Sequence, residues 1–176
     1  LVHPDNPLRS ACGLHLVLLL AQAAGAHGMI SGQMRDIVAE ACTFDHAQTR
    51  MMQQQKTGAL LRFCFLAPAH VARLDEESLH NWGVFGDYFG QIFQLQDDLL
   101  DISGNAKILG KKVGKDLAQN KATLPALLGE EKARAHLYDL YQQASDILDI
   151  LAAHHKMGSG FDTLHKILLY CVERNK

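Results

Sequence analysis

Apolar positions along this chain recur at three- and four-residue intervals, the spacing that lays a single stripe down one side of an α-helix. Pro4 and Pro7 mark an extended start, and a first helix is predicted over residues 8–26, with Gly25 and Gly28 punctuating the next junction. Residues 33–40 continue helically, and 44–66 read as a long helix that Pro68 ends. A further long helix is predicted over 75–101, closed by Ser103-Gly104, with a basic, glycine-containing loop following over 105–115. Three more helices fit 123–128, 130–155 and 161–174, with Gly158-Ser159-Gly160 as the last turn. Within 75–101 one face carries Trp82, Phe85, Phe89 and Phe93 with Gly83, Gly86 and Gly90 interleaved, a pattern of core packing between closely approaching helices. The predicted class is all-α, a compact helical bundle.

Composition agrees with that class. The chain has 27 Leu and 21 Ala against 7 Val and 5 Thr, so residues that suit helices outnumber the β-branched ones that suit strands. Its 176 residues make one ordinary domain with room for a real core. A formal net charge of -2 argues against a nucleic-acid binder that relies on whole-chain charge. Residues 14–20, followed by Ala21-Gln22-Ala23, imitate a secretory signal. The preceding segment, however, has only Arg9 as a cation and includes Asp5, and the run is interrupted by His15 and is too short to span a bilayer. It reads as a core helix. Cys12, Cys42, Cys64 and Cys171 include no C-x-x-C pair, so free thiols in a reducing compartment are expected rather than a zinc site or a disulfide framework.

The chemistry begins with Gln94, Asp97, Asp98 and Asp101, which fall at i, i+3, i+4 and i+7 and are predicted to point the same way. Asp97 and Asp101 repel one another one turn apart, and all three carboxylates lie at a predicted helix C-terminus, where the macrodipole disfavours negative charge. A solvated acidic face tolerates this, each effect being worth only tenths of a kcal/mol at a surface. The apolar flanks Phe93, Leu95, Leu99, Leu100 and Ile102 point instead to partial burial, and there a bound divalent cation such as magnesium is the natural compensation. Lys107, Lys111, Lys112, Lys115 and Lys121 follow with Asp116 among them; alone such a run reads as a solvated loop, and beside the acidic stripe it reads as the cationic half of a polyphosphate site. Gly104 to Lys112 is no P-loop: five residues separate its glycines, no Ser or Thr follows the lysine, and a helix precedes it. Lys56-Thr57-Gly58 interrupts a long helix, where glycine costs about 1 kcal/mol relative to alanine, so a kink or a close backbone approach is expected there. Gln33 and Asp36 lie one turn apart on their own helix, and either packing or function fits them.

Phe93-Gln94-x-x-Asp97-Asp98-x-x-Asp101 resembles the second aspartate-rich motif of the trans-type polyprenyl diphosphate synthases, nearest the bacterial short-chain farnesyl/geranyl members. Ser31-Gly32-Gln33-x-x-Asp36, Lys56-Thr57-Gly58-Ala59-Leu60, Gly110-Lys111, Gly114-x-Asp116, Lys121-x-Thr123-x-Pro125 and the terminal Arg174-Asn175-Lys176 are similar to further segments of that family, with Ser31 replacing a glycine. The resemblance covers the whole chain and implies the C-terminal part of an isoprenoid-synthase helical bundle, the first aspartate-rich motif being expected upstream. It implies a prenyltransferase that condenses an allylic diphosphate with isopentenyl diphosphate, with magnesium as cofactor, a cytoplasmic setting and a homodimer, and with no nucleic-acid partner and no integral membrane segment. In that reading Asp97, Asp98 and Asp101 serve the metal, and Lys56, Lys111 and Lys121 hold diphosphate oxygens. Gln94 and Asp116 orient the site, Thr57 faces the carbocation, and Phe93, Gln33 and Asp36 line the substrate pocket. The isolated 176 residues are expected to be inactive; a short non-catalytic partner subunit is the alternative, and a terpene cyclase of the same fold a more distant one.

Overall fold

The computed structural model describes residues 11–108, 123–155 and 159–174. Helices α1 (Ala11–Ala24), α2 (Met29–Ala39) and α3 (His46–Gln53) are followed by a π-helical turn (Gln54–Gly58) that passes directly into α4 (Ala59–Val71). Then come α5 (Glu76–Ile108), the short α6 (Leu124–Leu128), α7 (Glu130–His155) and α8 (Ser159–Glu173), with no strand among the described residues.

Local chemistry explains the starts of three of the helices. Asp45 accepts from the backbone N–H of Gln48 at 2.8 Å while the Gln48 side chain accepts from the Asp45 N–H at 3.0 Å, a complete capping box for α3. Asp75 accepts from Ser78 N–H at 2.8 Å ahead of α5, and Thr123 caps α6 with Pro125 in its first turn. Arg73, at φ 55°, takes the left-handed conformation just beyond the end of α4.

The 33-residue α5, about 50 Å long at 1.5 Å per residue, is the mast of the fold. It packs against α4, the π turn, α6, α7 and α8. Its Phe85, Phe89, Ile92, Leu95 and Leu99 meet the α7 stripe Ala133, Leu137, Leu140, Ala144, Leu148 and Leu151, and Phe161, Leu168 and Val172 of α8 close the core. Phe65 of α4 completes the aromatic cluster, its ring edge-on to Phe85 at 4.8 Å between centroids. Ala39, Phe44 and Met52 form a separate small cluster around α2 and α3.

Three expectations are corrected here. Pro68 does not end its helix, which runs on to Val71. Proline removes one donor to the carbonyl four residues back, but both Pro68 and Cys64 are exposed, so water can serve that group. Ser103-Gly104 does not close α5, which continues to Ile108; a glycine costs a helix only about 1 kcal/mol. Finally, α1 is not a core helix. Leu16 is buried against its neighbours, whereas Leu14, Val17, Leu18 and Leu20 are exposed. The stretch Cys12–Ala39 is long and apolar enough by length and composition to cross a membrane, but the turn at 25–28 divides it into helices of 14 and 11 residues. Each is shorter than the ~20 residues a spanning helix needs.

Candidate active site

The π turn brings Lys56-Thr57-Gly58 between α2 and α5, and each neighbour grips one of its side chains. Lys56 Nζ donates to Asp36 Oδ2 at 2.6 Å, joining the two motifs on α2 and the π turn. Thr57 Oγ1 donates to Gln94 Oε1 at 3.0 Å, and Gln94 Nε2 donates onward to Asp98 Oδ1 at 3.0 Å. Gln53 Nε2 donates to the other oxygen, Asp98 Oδ2, at 2.7 Å. A continuous polar chain thus runs from the π turn to the aspartate stripe.

The stripe itself divides. Asp98 is buried, facing Gln53 across to α3, and Asp101 is exposed. Burial pushes the Asp98 carboxyl up to about 6; the hydrogen bonds from Gln94 and Gln53 oppose this, and the charges of Asp101 and Asp97 add to it. Asp97 faces the other way, toward the end of α8, where Arg174 Nη2 pairs with its Oδ1. The same guanidinium lies 4.5 Å from the centre of the Phe93 ring and donates to the Phe93 carbonyl at 3.3 Å, while Gln96 Nε2 donates to the Arg174 carbonyl at 2.8 Å. The four side chains predicted to point one way therefore serve two surfaces. The macrodipole penalty also falls away, because α5 extends a further seven residues beyond Asp101 and the effect is confined to the last turn.

Among the described residues no three His, Cys, Asp or Glu side chains converge into a ready metal cage. The donor set is nevertheless suited to magnesium, which takes one or two hard carboxylate oxygens and completes its shell with phosphate and water. Asp101 is exposed and can supply such an oxygen, and Asp97 can do so through the oxygen that Arg174 leaves open; Asp98, whose two oxygens each already accept a hydrogen bond, can only brace them. Gln33 is exposed on α2, three residues before the Lys56-bound Asp36. Lys111, Asp116 and Lys121 lie outside the described residues.

The polyprenyl synthetase family model matches residues 8–157 of the chain. The chain belongs to that family. The farnesyl diphosphate synthase of Micrococcus luteus is 32% identical over 172 residues, 98% of this chain and 57% of that protein. The farnesyl diphosphate synthase of Escherichia coli strain K12 is 34% identical over 164 residues, 93% of this chain and 54% of the relative. Among solved structures, the apo FPP/GFPP synthase from Zymomonas mobilis superposes with a TM-score of 0.77 at 34% identity, covering 97% of this chain and 53% of that one. The chain thus spans about half the length of the polyprenyl synthetase relatives it matches. Sequence reasoning noted the Arg174 tail as a resemblance but did not foresee its place beside Asp97, and it missed Gln53 and Gln96. For Gln53 a signal was present: it lies on the helix leading into Lys56, one turn before it at i and i+3.

Proposed function

We propose that this chain carries the second-carboxylate half of a short-chain prenyltransferase site, for magnesium-dependent condensation of dimethylallyl or geranyl diphosphate with isopentenyl diphosphate to a linear product such as farnesyl diphosphate. The observation that carries the reading is the Thr57–Gln94–Asp98 hydrogen-bond chain, which joins the kinked Lys-Thr-Gly turn to the acidic stripe across 37 residues of sequence. The allylic C–O bond breaks, the resulting cation is attacked by the double bond of isopentenyl diphosphate, and a proton is lost. Magnesium, when bound, supplies positive charge to the departing diphosphate.

The remaining work falls to the chain's own side chains. Lys56, held by Asp36, offers an ammonium to diphosphate oxygens; Lys111 and Lys121 add to it, with Asp116 orienting them. The Thr57 and Gln94 oxygens present fixed dipoles toward the carbocation, and a dipole held in place needs no reorganisation as charge develops. Asp97 and Asp101 hold the metal and Asp98 braces them. Gln33 and Phe93 line the pocket. The wider reading includes a cytoplasmic homodimer.

Titration of the chain with magnesium chloride and inorganic pyrophosphate, followed by side-chain NMR, tests this. Resonances of Asp97, Asp101 and Lys56 should shift together and saturably, and Asp97→Ala should weaken binding at least about tenfold, the loss of ~1.4 kcal/mol. Unmoved side chains at saturating pyrophosphate overturn the reading. Geranyl and isopentenyl diphosphates should be condensed by the chain supplemented with the N-terminal half of the Micrococcus luteus relative, and not by the chain alone.

A further inference from the structure

The π turn is held by the same two-part device on both sides. On α2, Gly32 lies one turn before Asp36; on α5, Gly90 lies one turn before Gln94. Residues four apart share a helix face. In each pair the later residue grips a π-turn side chain, Asp36 taking Lys56 and Gln94 taking Thr57. The earlier residue has no side chain, and the backbones close over it. A Cβ at Gly32 would stand 2.5 Å from Lys56 Cα and closer still to the Lys56 backbone nitrogen. A Cβ at Gly90 would stand 2.9 Å from Gly58 Cα. These neighbours are backbone atoms and cannot swing aside. Gly58 itself differs: its φ and ψ of -63° and -38° are ordinary helical values, and the nearest atom to a Cβ there is the flexible Gln54 Cγ at 3.7 Å.

We infer that Gly32 and Gly90 are the positioning residues of the π turn, setting where Lys56 and Thr57 point, and that the glycine inside the turn is dispensable for this. A π turn inserts one extra residue into the helix and re-aims the side chains around it. It persists where its neighbours hold it, and here they hold it from both sides at backbone contact. The use of the aimed side chains rests on the prenyl-transfer reading, whereas the clamp does not. A failed pyrophosphate titration would leave the clamp standing, and a failed clamp would leave the titration standing.

Four variants of the chain test it: Gly32→Ala, Gly90→Ala, Gly58→Ala and Gly86→Ala. The last is a matched control, because a Cβ at Gly86 would stand 2.8 Å from Arg62 Cα, an equally tight backbone contact of α5, made with α4 one turn before Gly90 and outside the π turn. Two assigned ¹⁵N resonances report the geometry, the Lys56 ammonium paired with Asp36 and the Gln94 carboxamide, whose oxygen accepts from Thr57. Gly32→Ala should lose or displace the first and Gly90→Ala the second, while Gly58→Ala and Gly86→Ala retain both at wild-type shifts. Retention of both signals in Gly32→Ala and Gly90→Ala overturns the inference, as does their loss in Gly58→Ala or an equal loss in Gly86→Ala. Should Gly90→Ala fail to fold, Gly32→Ala and Gly58→Ala decide the question between them.

Discussion

Helices α1 and α5 are both rich in apolar residues and both carry glycine, yet they have opposite fates in the structure. In α5, Phe85, Ile92, Leu95 and Leu99 are almost wholly shielded, whereas in α1 Leu14 keeps 68% and Leu18 55% of its surface. The difference lies in neighbours. Around α5 stand α4, α6, α7 and α8, while α1 meets chiefly α4, with a minor contact to α2. Apolar composition therefore says that a helix seeks cover, and only the fold says whether it finds it. The exposed side of α1, with Ile30, Met34 and Ile37 on α2, is the kind of apolar surface that drives association.

The largest way to break this comparison is a pair of truncations. Leu95→Ala should cost about 2–5 kcal/mol, because its cavity is enclosed on every side. Leu18→Ala should change stability by no more than about 0.5 kcal/mol in dilute chain. Urea unfolding measures both, and a Leu18 effect approaching that of Leu95 shows that the α1 face is covered in solution. Sedimentation sharpens the point: the chain should self-associate with rising concentration, and Leu14→Lys with Leu18→Lys should shift it toward monomer. An unchanged distribution places the association elsewhere.

A smaller effect is expected where α5 meets α8. Arg174→Ala removes the partner of Asp97 together with the stacking on Phe93, and should cost about 1 kcal/mol, since Asp97 is partly open to water. Arg174→Lys should not restore it, because an ammonium cannot stack and fork in the same way. A double-mutant cycle with Asp97→Asn reads the coupling directly, and additivity of the two changes contradicts the pairing.

The outline of the fold and part of the candidate site are legible in the sequence. Helix type followed from apolar spacing, because that signal acts within a few residues, whereas the Asp45–Gln48 capping box goes unread in it and the predicted start of α3, at Phe44, is two residues early. Pro68 and Ser103-Gly104 misled because local stop signals are weak: water can serve the carbonyl that Pro68 leaves without a donor, and a glycine costs a helix only about 1 kcal/mol. The link between Lys56-Thr57-Gly58 and the aspartate stripe came through resemblance, and the structure supplied its physical form. Arg174 was illegible as a partner of Asp97, since 77 residues separate them and only the return of α8 along α5 brings them together. Spacing also gave the aspartates one face and a helix end; the continuing helix and the inward turn of Asp98 gave them two surfaces and no end.

The smallest predicted effect concerns the broadest contact of α1 among the described residues. His15 and His70 meet edge-on at 4.5 Å between ring centres, where α1 crosses α4. Burial holds the His70 imidazole below its ordinary value of 6.5, and the facing His15 lowers it further. A histidine depressed in the folded state binds its proton more readily when unfolded, so its contribution to stability is intact above about 6.5 and is lost as pH falls through that value toward the folded one. Acidification should thus loosen α1 from α4 before it disturbs α5. Hydrogen exchange at pH 7 and pH 5.5 should show protection falling in residues 12–24 while residues 85–99 keep theirs. His70→Gln should flatten that pH dependence, and a wild-type-like acid response in that variant assigns the sensitivity to some other group.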